Sequence, residues 1–530
     1  DVLSARKNSY VVESRYPVTG LSQDLSGQVI NGVLRIRRPS SQESFDCVMV
    51  DGQKYTLASR YDEEEPGTFP TFRAKSISLK GSEPDGYVYT LSVGKGHGIT
   101  KSALVKLYTE WISIYAKVVA VSQTSVSIKT DTKLSDFIVS KDYPVSLYNV
   151  YNQQSDAKAG QFWYDSQYIY CKLIPGSSRP KSVRVAVNSK LFRIANSTGI
   201  TFSGVKFEHT AASKIFSYVS QGLMEQDGVI SVERSSNIHF LDCEFEGIGD
   251  YCVSFKNNTT ACSVQGCYFH EIGTGGIIVN NPKMPWEKGY KKDDTGNIMI
   301  YSNIIRGYGK VRPCGVGILA GFGNDISIIS NHVFDGYYTA INLGWGWNQY
   351  HLNRNNYVAG NVVHHIMKFL LCDGGGIYTL SDWDGGSIEC NEVYCVNTRS
   401  RRDCALGIYH DQGSANILDY RNSVYACDVA NGSCYKNGWV LENNYGFIGA
   451  KVLEERTAKD VLTSHASGNK MHQTLKEGLE KPALVDYSGR KIPVFKSKYA
   501  DKTSLSDEYI EHYRKLYNEL SLNRNNPYFR

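Results

Sequence analysis

Between residues 196 and 447 the chain repeats a short motif of alternating apolar and polar positions: GITFSGVKF, NIHFLDCEF, ACSVQGCYF, NIMIYSNII, DISIISNHVF, NYVAGNVV, GSIECNEVY, NILDYRNSVY and WVLENNYGF. The copies align on one column, Val205, Cys243, Cys267, Asn303, Asn331, Asn361, Asn391, Asn422 and Asn443, at intervals that vary around a mean of about 30 residues. Three positions before it stand Phe202, Phe240, Val264, Ile300, Ile328, Val358, Ile388, Asp419 and Val440, apolar with one exception. Two positions after it stand Phe207, Phe245, Phe269, Ile305, Val333, Val363, Val393, Val424 and Tyr445. Period two with mixed residues between is the signature of strands with one buried face, and helical spacing does not fit. A second strand recurs in each copy: GVISV, YCVSF, GGIIV, GVGIL, TAINL, GGIYTL and GIYHD. Variable loops around a fixed pattern predict a solenoid of stacked strands, a parallel β-helix.

The Asn column then predicts a turn ladder, in which Asn takes a left-handed conformation and its amide bonds to the next coil. Residues 1–45 are expected to start or cap the helix. Residues 46–155 hold segments such as YVYTLSV and LVKLYTEWISIYAKVVAVSQTSVSIKT, which predict an antiparallel sandwich-like region. The catalytic β-helix is expected over 156–450. Residues 451–530 end in SLSDEYIEHYRKLYNELS, an amphipathic helix expected to cover the open end of the solenoid.

Composition narrows the class. With 12% aromatic residues and a formal charge of +5, global disorder is excluded, and no apolar run is long enough to span a bilayer. No basic helix or RNP-like segment points to nucleic acid. Thirteen Cys in 530 residues, with no zinc spacing, read as small buried hydrophobes rather than a disulfide framework. Asn196, Asn257, Asn258 and Asn431 lie in N-x-S/T sequons, compatible with secretion. His332, His364 and His365 read as structural.

In a solenoid, chemistry belongs where loops lengthen. From the column to the second strand the spacing grows from ten residues in early coils to fifteen to seventeen in later ones, which predicts groove walls there. The same coils hold INLGWGWN, CDGGGIYTLSDWDGG and RSRRDCALGIYHDQGS. Asp373, Asp382, Asp384 and Asp411 could supply paired carboxylates, with His410 beside Asp411. Trp345, Trp347 and Trp383 could stack on sugars, and Arg399 and Arg402 could clamp carboxylate or sulfate.

INLGWGW, DGGGIYTL and GIYHDQGS, in that order, resemble secreted right-handed β-helix glycoside hydrolases, most closely glycoside hydrolase family 141; WISIYAKVVAVSQTSVSIKT and FWYDSQYIYCKL resemble that group's N-terminal region. The resemblance implies an all-β, right-handed parallel β-helix that hydrolyses α-L-fucosidic or xylan-type linkages with two aspartates, here Asp373 and Asp411. The expectation is therefore a monomeric, secreted or periplasmic glycoside hydrolase acting on an anionic polysaccharide. His410 would orient Asp411, Tyr378 and Tyr409 would touch the sugar, and no cofactor would be needed. Two alternatives stay open: a lyase on the same fold, with Ca²⁺ held by Asp382 and Asp384, and a non-catalytic carbohydrate-binding solenoid. One geometric demand is explicit. Aligning the two Gly-Ile-Tyr strands puts Asp411 seven positions along from Asp373, roughly 20 Å on a straight strand, so Gly374–Gly376 must bend for the pair to meet.

Overall fold

The structure is a computed structural model that describes residues 2–6, 9–39, 47–61, 74–83, 86–108, 111–131, 133–134, 147–177, 179–213, 215–216, 220–279, 288–289, 294–346, 353–381, 383–398, 405–411, 414, 417–435, 438–441, 470–471, 484–486 and 488–523. Among the described residues, three ten-stranded sheets, parallel throughout the stacked coils, form the body. Each of the first eight motif copies, expected as one strand, breaks at the column into two, so a coil has three strands rather than two, while Gly438–Leu441 of the ninth copy pairs antiparallel in the third sheet. Gly296–Tyr301, for example, belongs to the first sheet and Ile304–Arg306 to the second. The recurring GGIIV-type segments make the third sheet. The apolar positions on either side of the column stack in register inside the solenoid, with Phe207, Phe245 and Phe269 ring on ring at 5.0 and 4.5 Å. Asn443 lies outside the described residues.

The ladder forms, with one correction. The left-handed residue is the one before the column, Asp242, Ser302, Ser330, Cys390 and Arg421 among them, at φ of 51 to 55°. The Asn follows that corner and turns its amide inward, where Oδ1 accepts from the preceding coil's backbone N–H and amide. Asn303 N, for instance, donates to Asn331 Oδ1 at 3.0 Å and Asn331 N to Asn361 Oδ1 at 2.9 Å. The Cys rungs are weaker versions: Cys243 N reaches Cys267 Sγ at 3.4 Å. The eleven cysteines whose side chains are described are buried, as small hydrophobes are.

The N-terminal segment joins the solenoid at once, since Ser9–Glu13 pairs in parallel with Thr198–Ser203 and Val18–Thr19 with Lys206–Glu208. Two further sheets follow, a six-stranded antiparallel one and a seven-stranded mixed one. The second recruits Gln161–Tyr164, Tyr168–Lys172 and Val183–Val185, so these strands, expected in the helix from residue 156, lie in the preceding region instead. The first sheet shares one continuous core with the solenoid.

The first turns of the C-terminal helix, Asp507–Asn523, expected over the open end, pack against the side of the solenoid. Tyr509 donates to Asp335 Oδ1 at 3.0 Å and Tyr513 to Cys395 O at 2.9 Å, which lays the helix along the flank of the second sheet. Its apolar stripe is aromatic and finds partners in His365 and Phe369. The segment before it runs backwards over the corner ladder: Val485 meets Cys390, Val494 meets Tyr301, Ser497 meets Gly266 and Tyr499 meets Asp242.

Candidate active site

The third sheet places Gly374–Thr379 beside Ala405–His410, with Tyr378 level with Tyr409 and Thr379 level with His410. Alternation decides which side chains face out. Ile377 and Ile408 stack inward with Ile341, so Tyr378 and Tyr409 point outward while Thr379 and His410 point in. Asp373 stands just before one strand and Asp411 just after the other.

The pairing register is unshifted through the glycines. The residue that turns the chain is Asp373 itself, left-handed at φ 58°. The two aspartates are cross-braced through the tyrosines. Tyr409 donates to Asp373 Oδ1 at 3.0 Å, Tyr378 donates to Asp411 Oδ2, and the two rings pack edge to face with centroids 5.0 Å apart. Each phenol thus reaches past its own strand to the carboxylate at the other's end. The tyrosines are 0–1% exposed and Asp373 and Asp411 8% and 7%, so all four are buried and the rings present no open stacking face. Burial first, then the charges of Asp411 and Asp373, push the Tyr378 hydroxyl well above its ordinary range, so it stays protonated and donates.

Two residues the sequence did not single out complete this corner. Tyr338 donates to the Asp373 carbonyl, and Gln221 donates to that carbonyl at 3.1 Å and to the Tyr338 hydroxyl at 2.6 Å. Gln221 comes from a loop 152 residues upstream, and no periodic signal could have placed it there.

Several expectations change. His410 does not orient Asp411: its Nε2 pairs with Asp419 Oδ2 at 2.9 Å and its Nδ1 meets Thr379 Oγ1 at 2.8 Å, both inside the coil. Asp419 is the one polar residue in the apolar column, and this buried pair explains it. Asp411 is instead placed by its backbone, with N donating to Thr379 O at 2.9 Å and O accepting from Ser414 N at 2.9 Å. Tyr378 and Tyr409 hold carboxylates with hydroxyls that were expected to touch sugar. Trp345 and Trp383, expected as open stacking faces, are 2% and 0% exposed core residues, and the Trp383 ring sits against Gly386. Trp347, Asp382, Arg399 and Arg402 lie outside the described residues, as does the side chain of Asp384. His364 and His332 stack with Phe334 and Tyr394 as structural residues.

Fold and site together define a parallel β-helix with an acidic, phenol-braced corner on its third sheet. A solved structure titled as a glycoside hydrolase is similar over 94% of this chain and 86% of its own, at TM-score 0.63 and 18% identity, which establishes the shared fold. Looser overlaps occur with a periplasmic alginate epimerase (TM-score 0.29, 15% identity, 46% of this chain and 49% of that one). The catalytic domain of an alpha-1,3-glucanase overlaps at TM-score 0.21 and 9% identity, over 79% of this chain and 85% of that one. No family model matches the chain, and no curated protein matches it. Among the described residues no helix is long and apolar enough to cross a membrane.

Proposed function

We propose that this chain is a secreted or periplasmic glycoside hydrolase of the family 141 type, cleaving an anionic polysaccharide in which fucose-containing sulfated glycans are the first candidates. The observation that carries the reading is the cross-brace of Asp373–Tyr409 and Asp411–Tyr378. Two carboxylates at the edge of one sheet face, each held by a phenol from the neighbouring strand, are the equipment of acid–base attack on a glycosidic bond. Asp373 and Asp411 share the acid and base roles, and the two phenols set their orientation and charge. The fold-wide likeness to a glycoside hydrolase supports this assignment. An excess of 58 Lys and Arg over 53 Asp and Glu, with the Arg399–Arg402 run near the site in sequence, supports an anionic substrate.

The test is reducing-end release from a panel of sulfated and uronic glycans. Asp373→Asn and Asp411→Asn should each lower kcat by roughly 10²–10⁴. Tyr378→Phe should shift the Asp411-dependent limb of the pH profile upward, because it removes a hydrogen bond to the charged carboxylate. New ultraviolet absorbance from unsaturated products, abolished by a chelator, would make the protein a lyase. No release from any glycan, with binding retained, would make it a carbohydrate-binding solenoid.

A further inference from the structure

On the outer face of the second sheet, three early coils bring together a group that has no part in the Asp373–Asp411 corner. Lys206–Glu208, Glu244–Glu246 and Tyr268–His270 stack in register, which sets Glu208, Glu246 and His270 one above another and Lys206 beside Glu244. Stacked coils lie about 4.8 Å apart, so Glu208 and Glu246 repel unless a cation stands between them. The Lys206 ammonium does so here, at 2.5 Å from Glu246 Oε2 and 3.6 Å from both Glu208 Oε2 and Glu244 Oε1. His270 Nε2 lies 3.1 Å from Glu244 Oε1.

His209 adds what a lysine-neutralised acidic cluster does not require. It occupies the left-handed corner after Glu208, at φ 50°, and its backbone N donates to Glu246 O at 2.8 Å. The residue is only 5% exposed, yet its ring Nδ1 is buried without a hydrogen-bond partner. One ring nitrogen, one Glu208 oxygen and one Glu246 oxygen all lie within 4.8 Å of one another, and the same holds for Glu244, Glu246 and His270. Gly247 leaves the ring its space, since a Cβ there would sit 2.5 Å from Nδ1. An imidazole buried with an idle nitrogen costs stability unless a ligand uses it.

We infer that Glu208, His209 and Glu246, with Glu244 and His270 alongside, form a site for a first-row divalent cation such as Zn²⁺, for which Lys206 is the internal stand-in. Mixed imidazole and carboxylate donors suit that class of ion. The Lys206 side chain is 34% exposed and can swing outward as the ion enters. The ion would join three consecutive coils through their outer face and would take no part in bond cleavage.

The test uses the full chain stripped of metal with a chelator and titrated with Zn²⁺ by calorimetry, and with Co²⁺ by visible absorption. Wild type should take up one ion and gain thermal stability. His209→Gln and Glu246→Gln, each checked for native circular dichroism, should weaken binding by roughly 100-fold or more and lose the Co²⁺ spectrum. Lys206→Met should bind at least as tightly as wild type, because it removes the competing cation. Uptake unaffected by His209→Gln, or no stoichiometric uptake by either wild type or Lys206→Met, overturns the inference.

Discussion

Replacing Asn361 by Ala removes one rung of the internal ladder. Its Oδ1 accepts from Asn331 N at 2.9 Å and Asn331 Nδ2 at 3.0 Å, and its Nδ2 donates to Ile328 O and Asn391 Oδ1, each at 2.9 Å. Alanine keeps the backbone bond from position 361 to Asn391 Oδ1, 3.0 Å in the native chain. It strands two buried donors, the Asn331 N–H and one Asn331 amide hydrogen. A buried polar group left unpaired costs about 1–3 kcal/mol, so two of them should destabilise the protein by about 2–6 kcal/mol. That is a large share of the ~5–15 kcal/mol that holds a typical domain together. Asn361→Cys should cost roughly half as much, because a thiol still accepts, as Cys267 does for Cys243. Urea unfolding followed by far-ultraviolet circular dichroism measures both, with Gln28→Ala on the exposed surface as a control expected within about 0.5 kcal/mol of wild type. A loss below about 1 kcal/mol for Asn361→Ala would refute the reasoning, since the neighbouring rungs would then re-pair without it.

Two further outcomes follow from buried charge. His410→Leu alone leaves the Asp419 carboxylate unpaired and should cost about 3–5 kcal/mol, while His410→Leu with Asp419→Leu restores an apolar column and should cost less than either single change; a double-mutant cycle in urea gives the coupling. Glu271 is pushed up by burial but pulled down to about 2 overall by Lys310 at 2.6 Å and Lys54 at 3.3 Å. Because its folded value lies below its unfolded one of about 4.3, its contribution is complete above pH ~4.5 and fades as pH falls toward 2. Glu271→Gln should therefore flatten stability against pH across that window, and an unchanged acid limb in unfolding midpoints would count against it.

Much of the solenoid was legible because its signal is repeated. Eight copies of a two-residue alternation vote for the same interior, and the Asn column carries its own hydrogen-bond logic. What misled was a local inference drawn without that alternation. Asp411 and His410 are neighbours, yet His410 shares parity with Ile408 and must face inward; the lone Asp419 in an apolar column was the matching clue. The location of the corner was also within reach of a coil-based reading, since Asp242, Ser302 and Ser330 precede the column. The bracing of Asp373 by Gln221 and the burial of Tyr378, Tyr409 and Trp345 were not, because they depend on contacts between distant segments of the chain. The helix at 507–523 was readable as amphipathic, but its aromatic stripe gave no address until Asp335, His365 and Cys395 supplied one.

The backward-running segment from Val485 to Tyr499 changes how the molecule should come apart. In a simple stack each coil is tied only to its neighbours, so thermal fraying can start at an end and advance one layer at a time. Here a single stretch of chain is bonded at Cys390, Tyr301, Gly266 and Asp242 in turn, and the following helix climbs back to Cys395. It works as a longitudinal tie, like a lacing across the rungs, so that losing one middle coil requires several contacts to be released together. Cutting the chain before Val485 should turn one sharp unfolding transition into a graded one, making the cooperativity of the whole stack a property of a segment that belongs to none of its coils.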